Sequence, residues 1–162
     1  MRRVVLIAAF IAVLDQYTKR LVLEHVYEAL PVTVIPGFFQ IVNWRNTGAA
    51  WGLFRGFNWV LAVISVLTLA GLYLFRHSFG IKKPVASVAL GLIVGGIIGN
   101  FIDRVQHQSV VDFLDFYIGD RHWPAFNVAD SAICIGVVLY IIVSWRNDLS
   151  DQPVTPRATS DR

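Results

Sequence analysis

The chain has 162 residues, of which 56% are hydrophobic and only 15% charged, and its mean hydropathy is +0.58. That balance excludes an ordinary soluble domain of this size and points to a small integral membrane protein. The formal charge of +3 is scattered beside apolar runs rather than gathered in a block, which argues against nucleic acid as a partner, and the single Cys134 excludes a disulfide framework within the chain.

The first apolar segment runs from about Val4 to Leu23. Arg2-Arg3 followed by Val4 to Leu14 has the look of a secretory signal peptide, but the small residues of a cleavage site do not follow. Asp15-Gln16-Tyr17-Thr18-Lys19 comes instead, so a retained helix is expected, with Asp15 and Lys19 one turn apart and able to pair. From Pro31 to Phe57 the pattern changes to short alternating stretches broken by Pro36-Gly37, which predicts strands and turns. Phe38, Phe39, Trp44, Trp51, Phe54, Phe57 and Trp59 would place this platform at the bilayer surface. Within it, Asn46-Thr47-Gly48-Ala49-Ala50-Trp51 reads equally well as an ordinary turn or as a place where backbone approaches a ligand.

Asn58 to Phe75 and Pro84 to Ile102 are the clearest spans, each near the roughly 20 residues a helix needs to cross hydrocarbon. Gly91, Gly95 and Gly99 strip one face of the latter for close helix packing. Gly96, Asn100 and Asp103 form an adjoining stripe that points toward a site. The connection from Arg104 to Pro124 reads as half-buried, extended or helical. A local ion pair at a helix end is one reading of Asp103-Arg104, and Asp115 and Asp120 read as solvated loop acids. A fourth span covers about Ala125 to Trp145, with Asn127 a candidate N-cap, Asp130 three residues on, and Cys134 a small packing residue.

The expected fold is therefore an all-α membrane protein: four transmembrane helices with a small extracytoplasmic β platform in one domain over residues 1–148, and a disordered cytoplasmic tail over 149–162. The density of Lys and Arg places both termini and the short loop around His77 to Lys83, which includes Lys82, in the cytoplasm, and the connections holding Arg45 and Asp112 outside.

Asp112 and Asp130 are the telling residues. A charged side chain in lipid costs about 2.5 to 3.5 kcal/mol on insertion scales, so such groups are usually functional and partnered, and no Lys or Arg lies within a turn of Asp130. Two carboxylates facing each other in a poorly solvated site share one proton. One then acts as general base on a bound water while the other donates a hydrogen bond to the scissile carbonyl and later a proton to the leaving amine. The four histidines, His25, His77, His107 and His122, lack the His-Glu-x-x-His spacing, which disfavours a zinc peptidase, although His107 and His122 with nearby carboxylates keep a metal site open. The serines in the spans have no histidine beside them to act as base. No metal and no cofactor are expected.

Five stretches in order resemble the signature blocks of the bacterial lipoprotein signal peptidases, also called signal peptidase II. They are Asp15-Gln16-Tyr17-Thr18-Lys19, Asn46-Thr47-Gly48-Ala49-Ala50-Trp51, Gly95-Gly96-Ile97-Ile98-Gly99-Asn100-Phe101-Ile102-Asp103-Arg104, Val110-Val111-Asp112-Phe113 and Trp123-Pro124-Ala125-Phe126-Asn127-Val128-Ala129-Asp130. The resemblance implies a four-helix inner-membrane aspartyl endopeptidase. It would remove the signal peptide of prolipoproteins before a diacylglyceryl-modified cysteine, with its site near the periplasmic face and globomycin competing in the same groove. It makes Asp112 and Asp130 the catalytic pair, and Asp15, Lys19, Asn46, Gly48, Gly96, Asn100, Asp103, Arg104, Asn127 and Ala129 residues that bind substrate or support the pocket. The partners so implied are the lipidated precursor and membrane lipid, with the enzyme a monomer. A small transporter or proton-coupled channel, or a non-catalytic assembly subunit, is the competing reading of carboxylates beside glycine-rich helices.

Overall fold

The computed structural model describes residues 1–49, 53–80 and 83–150. Four helices, α1 (Arg2–His25), α2 (Asn58–Leu74), α3 (Pro84–His107) and α4 (Val128–Ser150), alternate with β1 (Val32–Ile35), β2 (Phe39–Asn46), β3 (Val110–Ile118) and β4 (Arg121–His122). α3 is the central helix: α1, α2 and α4 all pack on it, and α1 and α2 rest on α3 rather than on each other.

Glycine makes that packing possible. A Cβ at Gly95 would lie 2.7 Å from the Ile11 Cβ and 2.8 Å from the Ala8 carbonyl oxygen, and one at Gly91 would meet Ile7, so this face takes α1 at backbone distance. The next residue, Gly96, faces the other way, where a Cβ would collide with the Ala129 carbonyl and Ile133 of α4. α3 therefore holds a helix on each side.

The helices are inverted relative to a soluble protein. Large apolar side chains such as Phe10, Val13, Leu67, Leu74 and Ile141 point outward, while Asp15, Lys19, Asn100 and Asp103 are buried. Such continuous apolar exposure is what lipid contact requires. α3 and Val128–Trp145 of α4 are long and apolar enough to cross a bilayer. α2, with 17 residues, is shorter, and α1 interrupts its apolar run with Asp15, Lys19 and Arg20.

The platform differs from the expected one. It is a four-stranded antiparallel sheet in the order β1-β2-β3-β4, so the connection after α3 supplies half of it. β2 runs against β3 with Trp44 opposite Asp112 and Gln40 opposite Asp115. Val22 of α1 and Val111 and Phe113 of β3 form a small core with Leu23, Val26, Ile41 and Val128, which seats the sheet on the end of α1 and the start of α4. Phe38, Trp44, Phe54, Phe57 and Trp59 are exposed around it; Trp51 lies outside the described residues. α3 continues to His107 rather than ending at Ile102, and α4 begins at Val128, three residues later than expected, because the bond between Phe126 and Leu114 keeps the preceding chain extended. α4 runs through Ser150, two residues into the stretch expected as tail; Lys82 and residues 151–162 lie outside the described residues.

Candidate active site

Asp112 sits on β3 and Asp130 in the first turn of α4, and both line a cavity of about 560 Å³. Asn127 joins them. Its Oδ1 accepts from the Asp130 backbone N–H at 2.9 Å, and the Asp130 Oδ2 accepts from the Asn127 N–H at 3.3 Å, a reciprocal cap at the start of α4. With the amide oxygen so engaged, Nδ2 faces β3 and donates to the Asp112 Oδ1 at 2.8 Å. One side chain thus starts the helix and sets the relation of the two acids.

Each acid also has an asparagine of its own. Asn46, at the end of β2, donates to the Asp112 Oδ2 at 2.9 Å, and Asn100 donates to the Asp130 Oδ1 at 2.7 Å. The Asn46 Oδ1 accepts from Gly48 N–H at 2.9 Å, and a Cβ at Gly48 would lie 2.7 Å from the Leu53 carbonyl oxygen, so Gly48 is held tightly against Leu53 where it lines the site. Burial, and after it the charge of Asp130, push the Asp112 carboxyl up to about 7; the bonds from Asn46 and Asn127 pull the other way.

Below this pair lies a buried ionic network. Lys19 Nζ is 2.8 Å from Asp15 Oδ2 and 3.0 Å from Asp103 Oδ2, and donates to Asn100 Oδ1 at 2.9 Å. Asp15 and Asp103 then accept the backbone N–H groups of Ala129 and Val111, at 2.9 and 3.0 Å. A chain of contacts therefore runs from α1 through α3 to α4 and β3, and Asn100 hands it on to Asp130. Asp15 pairs with Lys19 as expected. Asp103 pairs with Lys19 as well, not with the neighbouring Arg104: adjacent residues on a helix do not face each other. Asp15, Lys19, Gly96, Asp103, Asn127 and Ala129 hold the frame, whereas Asn46, Gly48, Asn100 and Arg104 line the cavity with the two acids.

Arg104 reaches toward the carbonyls of Asn100 and Gly48 at 3.3 and 3.4 Å, and its buried Nε has no partner among the described residues. That leaves a cationic donor beside the two carboxylates. Trp123, Pro124, Ala125, Phe126, Ile133 and Cys134 give the cavity an apolar wall. Cys134, expected to pack internally, is exposed on that wall.

Several contributors carried no role in the sequence reading. Gln16 donates to Asp103 Oδ1 at 2.8 Å and to the Gly99 carbonyl at 3.1 Å; its polarity inside an apolar run was the available signal. Asn58 holds the Arg104 carbonyl at 3.0 Å. Asp115, expected as a solvated acid, is completely buried between Gln40 and His122; Asp120 is exposed as expected.

The chain's relatives bear on what such a site does. Residues 7–146 match the family model described as Signal peptidase (SPase) II. The lipoprotein signal peptidase of Bacillus pumilus (strain SAFR-032) is 46% identical over 137 residues, covering 84% of this chain and 88% of that protein. That of Oleidesulfovibrio alaskensis (strain ATCC BAA-1058 / DSM 17464 / G20) is 40% identical over 149 residues, covering 89% and 95%. A bacterial membrane enzyme solved by the in meso method at 2.3 Å resolution superposes with a TM-score of 0.84 at 36% identity, covering 97% of this chain and 95% of that one.

Proposed function

Because the chain belongs to the signal peptidase II family, we propose that it removes the signal peptide from diacylglyceryl-modified prolipoproteins, cleaving before the lipidated cysteine, with Asp112 and Asp130 as an aspartyl dyad. The observation that supports the dyad most directly is Asn127 bonded to both acids at the edge of a half-apolar cavity. Trp44, Phe126 and the sheet belong to an interfacial platform. α1 and α3 end at it and α2 and α4 start from it, the arrangement of four antiparallel spans with both termini in the cytoplasm and the site near the outer face. The enzyme works as a monomer, its acyl-chain contacts made among helices that face lipid.

The chemistry follows from a shared proton. The ionised member takes a proton from water, and the resulting hydroxide adds to the carbonyl carbon of the scissile bond. The protonated member donates to the carbonyl oxygen, and on collapse of the gem-diol a proton passes to the cysteine nitrogen as the C–N bond breaks. An Asp112 carboxyl raised to about 7 is suited to the acid half of that cycle near neutrality. The Arg104 guanidinium, held by Gly48 and Asn100, is placed to bind a carbonyl of the extended substrate.

The test is cleavage of a lipidated precursor by the purified chain. Asp112→Asn and Asp130→Asn should each abolish turnover while the protein stays folded. A transporter or assembly subunit would leave the precursor intact, and a turning-over variant would end the dyad assignment.

A further inference from the structure

The cavity wall from Trp123 to Phe126 is pinned at both ends to β3. Trp123 N–H donates to the Phe116 carbonyl at 2.8 Å, and Phe126 exchanges hydrogen bonds with Leu114 at 3.1 and 2.9 Å. Asp115 lies between those two anchor points. Its carboxylate is fully buried, yet among the described residues no Lys or Arg forms an ion pair with it. Gln40 of β2 donates to its Oδ2 at 2.7 Å, and His122 of β4 brings Nδ1 to 3.0 and 2.8 Å from its two oxygens. The imidazole stacks on Tyr117 at 5.1 Å between ring centres, with Trp44 at 6.4 Å.

A buried carboxylate is costly unless its oxygens are hydrogen-bonded, so Asp115 is satisfied only when β2, β3 and β4 are all in place. β4 is two residues long and pairs with β3 at just two positions, too little backbone to hold a ribbon by itself. His122 is also the residue immediately before the wall.

We propose that Asp115 and His122 form a positioning clamp that fixes the Trp123–Phe126 wall and so sets how tightly the substrate peptide is gripped. The proposal rests on the peptidase reading of the cavity. Neither residue touches the acid pair, so loosening the clamp weakens the hold on substrate without altering the chemical step. That pattern is a rise in KM with kcat preserved.

The experiment is steady-state cleavage of a lipidated precursor by the full chain. His122→Ala should raise KM about ten-fold, the equivalent of one lost hydrogen bond to a charged group, and leave kcat within about two-fold. His122→Asn, whose amide nitrogen can stand where Nδ1 stood, should restore KM. Asp115→Ala should raise KM at least as far, and adding His122→Ala to it should do no further harm. If Asp115→Ala does not fold, the two His122 variants decide alone, since that side chain is 38% exposed and its replacement opens no cavity in the core. An unchanged KM in His122→Ala, a fall in kcat at constant KM, or an asparagine variant as impaired as the alanine one would each overturn the clamp. A wild-type chain that fails to cleave overturns the peptidase reading, and this proposal with it.

Discussion

Replacing Asp112 by Asn should abolish cleavage and at the same time make the protein more stable, by an amount that depends on pH. Asp112 has its carboxyl raised from 3.8 to about 7, first by burial and then by the charge of Asp130. A raised carboxyl binds its proton more tightly in the folded state, so the acid costs nothing below the unfolded value. The penalty grows as pH climbs from 3.8 toward 7 and levels off above. The shift is worth about 4 kcal/mol at about pH 8 and about 2 kcal/mol at about pH 5. An asparagine is free of it, but its NH2 group confronts one of the two amide donors, Asn46 or Asn127, that now bond Asp112, at a cost of about 1–3 kcal/mol. The net expectation is a gain of about 1–3 kcal/mol near pH 8, seen as a melting temperature several degrees higher, shrinking to about zero near pH 5. Intrinsic-fluorescence melting of both proteins in the same detergent across that range measures it. A difference between them that does not change with pH, or a variant less stable at the alkaline end, would refute the account of Asp112 as an acid held in an unfavourable environment.

Three further outcomes follow from the same geometry. Lys19→Met leaves Asp15 and Asp103 buried without their cation and should destabilise the fold by about 3–5 kcal/mol in the same melting assay; a loss under about 1 kcal/mol would show that the ion network is dispensable. Asn127→Ala removes the α4 cap, the bond from the Asp130 backbone N–H, and the orienting bond to the Asp112 carboxylate, so it should cost about 1–2 kcal/mol of stability and at least about ten-fold in cleavage, whereas a purely capping role would spare the rate. Gly95→Ala drives a methyl group into Ile11 and Ala8 and should cost about 1–3 kcal/mol, while Gly71→Ala, with nothing within 4 Å, should be neutral or stabilising by up to about 1 kcal/mol; equal melting temperatures for the two would contradict the close packing of α1 on α3.

What could be read from the chain alone was whatever is written locally or enforced by cost. The four helical segments follow from apolar runs between charges, the cap from Asn127 standing three residues before Asp130, and the Asp15–Lys19 pair from one turn of spacing. The acid pair followed from the expense of carboxylates near lipid. Partners far apart in sequence were not legible. Asp115 looked like a loop acid because Gln40, which satisfies it, is 75 residues away, and strand pairing of that kind leaves no periodic trace in either segment. Asp103 was matched to the nearest cation along the chain, although Lys19 on another helix is the one in reach. The sheet was half seen for the same reason: β1 and β2 form a local hairpin, but β3 joins them only once α3 has carried the chain back to the same end.

The central place of α3 has a consequence for biogenesis. It is the third helix to leave the ribosome, yet the first two rest on it and not on one another. On the proposed four-span arrangement, α1 waits in the bilayer without its eventual neighbour, and its own lysine lets it do so, since Asp15 and Lys19 neutralise each other within a single turn. When α3 inserts, Asp103 joins a counter-charge that is already there. On that proposal the same ammonium group serves first as a passport for one helix into the membrane and afterwards as the rivet between two.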